Sequence, residues 1–129
     1  MLSFIAGLSG LYDFVVGAFL LLAPDALASL FGVPPANPRI FSDLNGLFLI
    51  AVGLGYAFPW RDPERHRGYM WVMGVFLKGS GAAAFLLDYA LRGSPASFLL
   101  FAASDGVLAL LTFWALKVDS LPRPGQHWR

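Results

Sequence analysis

Between Phe4 and Leu116 the chain carries four apolar stretches, each about twenty residues long, separated by short polar or proline-containing turns. An α-helix rises about 1.5 Å per residue, so about twenty residues match the roughly 30 Å hydrocarbon thickness of a bilayer. Four such stretches in 129 residues leave almost no length for a soluble domain. Composition points the same way. With 57% hydrophobic and 13% charged residues and a mean hydropathy of +0.65, the chain holds more apolar side chain than a soluble domain of this size could hide, and the surplus must face lipid. The sequence predicts an all-α integral membrane protein: an antiparallel four-helix bundle in residues 1–117, with spans at 4–23, 39–58, 69–91 and 96–116, and a Pro-punctuated, poorly ordered tail at 118–129.

The turns set the details. Pro24 ends the first span and Pro59 the second. Between them Asp25 is placed to cap a short turn whose Leu27, Leu30 and Phe31 share one face, lying flat in the interface until Gly32 and Val33-Pro34-Pro35 stop it. The turns at 59–68 and 92–95 are tight enough to make consecutive helices antiparallel neighbours. Outside the spans, Arg61, Arg65, Arg67, Lys117, Arg123 and Arg129 fall on one side and only Arg39 and Arg92 on the other. Six against two places both termini on the cytoplasmic side, with Trp60, Tyr69, Trp71 and Trp114 as a belt at that boundary.

Several function classes drop out. A net charge of +1 offers no field for nucleic acid. The absence of Cys removes thiolate catalysis and cysteine-ligated metal centres. His66 and His127 stand in a turn and in the tail without paired ligand spacing, so no metal site is expected. The N-terminal stretch lacks a basic flank and is interrupted by Asp13, which favours a span over a secretion signal despite the Ala26-Leu27-Ala28 run. No nucleotide-binding loop, nucleophile elbow or zinc-protease helix is present.

What remains is inside the spans. Steps of three and four residues return to one helix face, and each predicted helix aims an ionisable residue along a face of small residues. Gly7, Gly10, Asp13 and Gly17 share the first face, and Asp43, Gly46 and Gly53 the second. Trp71, Gly74, Lys78, Gly81, Phe85 and Asp88 form the third, and Phe98, Phe101, Asp105, Leu108 and Thr112 the fourth. Glycines there let neighbouring backbones approach closely. Counted by rise from the outer boundary, Asp43 lies about 7 Å deep, Asp105 about 12 Å, Asp13 about 15 Å and the Lys78 backbone about 18 Å. The Lys78 ammonium is thus placed to reach all three carboxylates, helped by Asn45 and Ser104. A charge facing lipid at the bilayer centre costs roughly 3 kcal/mol, so these groups should point inward and share partners. Asp88 is expected near the outer end as a solvated boundary residue. Two readings of the cluster stay open: a clamp that fixes helix register, and a site for a proton or small ligand.

The run from Gly10 to Pro24, Gly-Leu-Tyr-Asp-Phe-Val-Val-Gly followed by Ala-Phe-Leu-Leu-Leu-Ala-Pro, and the run from Asp43 to Gly55, Asp-Leu-Asn-Gly-Leu-Phe-Leu-Ile-Ala-Val-Gly-Leu-Gly, resemble the small four-helix bacterial membrane proteins of the DoxX-like group. The resemblance rests on glycine placement and hydropathy over most of the chain and assigns no role to an individual residue. It implies a bacterial cytoplasmic (inner) membrane, a quinone or lipid as bound molecule, and a quinone-linked redox complex as partner.

These readings rank as follows. The first is a non-enzymatic membrane subunit or small-ligand-binding protein, packed as a homo-oligomer or within a larger membrane complex. The second is a proton-coupled carrier of small or lipophilic solutes, using Asp13, Asp105 and Lys78. The third is a small membrane enzyme acting on a lipid or quinone, with Asp13 or Asp105 as acid-base group.

Overall fold

A computed structural model of the chain describes residues 1–120. His127 and most of the expected tail lie outside the described residues. Four helices are long and apolar enough to cross a membrane: α1 (Leu2–Leu22), α3 (Ile40–Arg61), α4 (Arg67–Arg92) and α5 (Ala96–Asp119). A short α2 (Pro24–Phe31) follows α1. Among the described residues there is no strand.

Each boundary has a local cause. Ala23, extended at φ −139°, separates α1 from α2. Pro24 then occupies the first helical position, where a missing N–H is harmless. Ala23 rather than Asp25 is the N-cap, so the expected Asp25 cap is not made; Asp25 instead sits in the first turn, where its charge suits the helix dipole. Gly32 at φ +68° closes α2, donating to the Ser29 carbonyl at 3.1 Å while Val33 donates to that of Ala28 at 3.0 Å.

Pro59 does not end the second span. The helix steps at Tyr56 and resumes from Ala57 to Arg61, with Pro59 inside it. Proline brings no N–H for the Gly55 carbonyl, and the break one residue later keeps that loss local. α5 continues to Asp119, past the predicted end of the domain at 117. Its last turn is held by Arg67, whose Nη2 donates to the Leu116 carbonyl at 2.7 Å and whose Nη1 pairs with Asp119 at 2.8 Å.

The largest departure from a regular helix is in α4. From Met70 to Leu77 the backbone is wound in wide π turns before returning to α geometry at Lys78. Met70, Gly74, Lys78 and Ala82 are all buried. An ordinary α-helix drifts by about 40° at every four-residue step, and the wide turns take that drift back, keeping the stripe on one side.

Packing inverts the soluble pattern. Phe4, Leu22, Phe76, Leu91 and Leu110 project outward and are exposed, whereas Ser9, Asp13, Lys78 and Thr112 are buried with small residues. That is the arrangement of a membrane protein, where close backbone contact and polar pairing replace the hydrophobic drive between helices. α1 packs most extensively on α3, and α4 on α5; the two pairs meet where α1 touches α5 and the wide turns of α4. At the end of the bundle nearest the N-terminus, Leu2, Ile5, Ala6, Val52, Tyr56, Met70, Ala115 and Leu116 form a closed apolar core.

Candidate functional site

Beyond that core, toward α2, the interior changes character. Lys78 Nζ donates to Asp13 Oδ1 at 2.5 Å, and both side chains are sealed, at 3% and 4% exposure. Asp105 Oδ1 stands 3.7 Å from the same ammonium and is 18% exposed. Lys78 Nζ also lies 5.0 Å from the centre of the Tyr12 ring, a cation over an aromatic face. Tyr12 Oη shares a 2.6 Å hydrogen bond with Ser104 Oγ, which in turn donates to the Leu100 carbonyl at 2.8 Å. Asp13 Oδ2 is buried and has no hydrogen-bond partner among the described residues. The wide turns of α4 end at the residue before Lys78 and so set the angle at which its stem enters the bundle.

Tyr12, Asp13 and Asp105 of this cluster line a cavity of about 480 Å³, with Lys78 behind them. Tyr12, Asp13 and Val16 come from α1, Asn45, Phe48 and Leu49 from α3, Gly81 and Phe85 from α4, and Phe98, Phe101 and Asp105 from α5. α2 adds Leu27, Ala28 and Phe31, so the segment expected to lie flat in the interface forms a wall of the cavity. Phe31 stacks on Phe101 at 4.8 Å between ring centres, Phe101 on Phe85 at 5.4 Å, and Phe98 completes the group. Ser97 Oγ donates to the Phe31 carbonyl at 2.7 Å and fastens α2 to the start of α5.

The sequence-derived residues divide. Asp13, Lys78 and Asp105 come together, and Ser104 joins them through Tyr12. Asp43 does not: its carboxylate pairs with Arg39 at 3.8 Å one turn earlier on the same helix, partly exposed. The stem of Lys78 is drawn to the nearer Asp13, and Asp43 finds its own cation at the helix end. Asn45 lines the cavity without a hydrogen bond to the cluster being formed. Asp88 is near the end of α4, bonded to Ser94 and paired with Arg92 at 3.2 Å.

The glycines divide as well. Gly10 faces Gly53 and Gly17 faces Gly46, so closely that an added Cβ would stand 2.7 to 2.8 Å from a carbonyl of the opposite helix at Gly17, Gly46 and Gly53. At Gly10 the nearest atoms would be Tyr56 Cβ at 2.7 Å and the Gly53 carbonyl at 2.9 Å. Gly7 lies against the Trp60 ring, at 3.1 Å, and Gly74 against Thr112 Cγ2, at 2.7 Å. Gly81 is not wedged between helices: its nearest neighbour would be Asp105 Oδ2 at 3.8 Å, ordinary contact at the cavity wall.

Tyr12 is the site residue the sequence reading passed over. Its signal was an aromatic hydroxyl inside an apolar span, a group that needs a partner when buried; Ser104 is that partner. Among the described residues no group of His, Cys, Asp and Glu is arranged to hold a metal ion. No family model matches the chain, and neither the curated proteins nor the solved structures contain a match to it.

Proposed function

We propose that this protein is a non-enzymatic, small-ligand-binding protein of the bacterial cytoplasmic membrane. In this reading it is an antiparallel four-helix bundle with both termini in the cytoplasm, working as a homo-oligomer or as a subunit of a larger membrane complex. The observation that carries the reading is the cavity of about 480 Å³ with aromatic and aliphatic walls and a buried Asp13–Lys78–Asp105 cluster at its edge. Ligand pockets are commonly of this size and make-up, mostly apolar with a few converging polar groups that fix orientation. A purely structural clamp needs no such space beside it. The charge count supports the sidedness, and the resemblance to the DoxX-like group supports a quinone or lipid as occupant and a quinone-linked redox complex as partner.

A proton-coupled carrier of small or lipophilic solutes is the second reading. The observation in its favour is that one ammonium faces two carboxylates, one of them reachable from the cavity.

The binding reading is tested by mass spectrometry of the protein extracted in mild detergent. A small molecule should co-purify with the wild type in fixed stoichiometry and be lost from Ala28→Trp, which fills the cavity from α2. An empty wild type, indifferent to Ala28→Trp in thermal stability and in all ligand screens, refutes it.

A further inference from the structure

The cavity has a charge sign as well as a shape. Two carboxylates, on Asp13 and Asp105, share the single ammonium of Lys78, leaving one negative charge in excess when all three are ionised. That excess is placed unevenly. Asp13 is sealed and takes the short bond, while Asp105 is further from the ammonium and partly open to the cavity. An anionic ligand would add to the excess, and a neutral one would leave it to be met by a bound proton, since an unpaired charge is expensive in a medium of low dielectric. A monovalent cation removes it. The walls suit one whose charge is carried on an apolar body: the stacked rings of Phe31, Phe101 and Phe85, with Phe98, give that space apolar walls. Asp13 Oδ2, buried and without a hydrogen-bond partner among the described residues, is an acceptor beside the cavity that the helices leave unsatisfied.

We infer that the cavity takes a lipophilic monovalent cation against Asp105, in exchange for one proton; this rests on the ligand-binding reading above. Cation and proton are alternatives for the same negative charge, so one cation enters as one proton leaves and the cluster stays neutral in both states. The titratable groups that face Asp105 are Lys78 from α4, Asp13 and Tyr12 from α1, and Tyr56 from α3. α2 contributes only Pro24, Leu27, Ala28 and Phe31 to the lining, none of them titratable.

The test uses three probes of similar bulk and different charge: tetraphenylphosphonium, tetraphenylborate and triphenylphosphine oxide, bound to the full chain in detergent and followed by equilibrium dialysis. The phosphonium should bind at least about tenfold more tightly than either of the others. Its affinity should rise by up to about tenfold per pH unit while the cluster exchanges its proton, with one proton released per cation in weakly buffered solution. Asp105→Asn should abolish the preference for the cation while the phosphine oxide still binds, which shows the fold intact; Asp105→Glu should keep the preference. Equal binding of the phosphonium and the phosphine oxide, preference for the borate, or a cation preference that survives Asp105→Asn overturns the inference and leaves a neutral-ligand site standing. Failure of all three probes to bind, with Ala28→Trp indistinguishable from wild type, overturns the ligand-binding reading as well.

Discussion

Both helix pairs carry glycines on their facing sides, and they use them differently. Along α1 and α3, Gly10, Gly17, Gly46 and Gly53 bring backbone against backbone, with no room for a single added carbon. Along α4 and α5, added carbons at Gly79, Gly81 and Gly106 would meet neighbours at 3.9, 3.8 and 3.6 Å, ordinary contact distances. In the first pair glycine is consumed by contact; in the second Gly74 is pressed against Thr112 Cγ2 at 2.7 Å, but Gly79, Gly81 and Gly106 leave slack, which at Gly81 adjoins the cavity. A glycine on a helix face therefore does not by itself announce closeness: Gly106 meets Ala82, also small, at ordinary contact distance, while Gly74 is pressed by the larger Thr112.

The sharpest way to break this contrast is a bulky residue in the tight seam. Gly53→Leu or Gly17→Leu must push two backbones apart, beyond the roughly 1 to 3 kcal/mol typical of core overpacking, and the folded species should vanish from size-exclusion profiles in detergent. Survival with wild-type unfolding temperature would mean α1 and α3 are not in contact.

Next comes the ion pair that joins the two helix pairs. Lys78→Met leaves Asp13 buried and unpartnered, a loss of about 3 to 5 kcal/mol when the partner charge is removed. Unfolding followed by tryptophan fluorescence should show that loss easing as pH falls, because a neutral carboxyl no longer needs the ammonium. Adding Asp13→Asn should restore more stability than adding Asp105→Asn, since Asp13 holds the shorter bond. The reverse order would make Asp105 the principal partner.

Smaller effects sharpen the comparison. Tyr12→Phe deletes the hydrogen bond to Ser104 and should cost about 1 kcal/mol in the same unfolding assay, as Ser104 keeps its bond to Leu100. Gly79→Ala on the loose seam should change sign and stabilise by about 0.5 to 1 kcal/mol, the helix preference of alanine over glycine. A loss there instead would show that α4 and α5 are as tightly apposed as the other pair.

The helical spans were legible because bilayer thickness imposes a length that hydropathy displays directly. The meeting of Asp13, Lys78 and Asp105 was legible from depth, which needs only the rise per residue. Azimuth was less so. Depth and a shared face with Gly46 and Gly53 place Asp43 in the cluster, yet Arg39 four residues earlier offers a nearer cation at the helix end. The wide turns from Met70 to Leu77 have no composition of their own, because helix widening answers to what the neighbours demand. Pro59 reads as a stop in a helix that must keep every donor, but a break at Tyr56 lets the chain carry it onward. The cavity could not be read at all: Leu27, Ala28 and Phe31 are ordinary interfacial residues until α2 folds over the bundle.

The closed core of Tyr56, Met70 and Leu116 bears on direction of traffic. With that end filled, the interior is a cup rather than a pipe, its open space confined to the side of the core where α2 forms part of the wall. Vectorial movement across the bilayer would require that core itself to open, between the step in α3 at Tyr56 and the wide windings of α4.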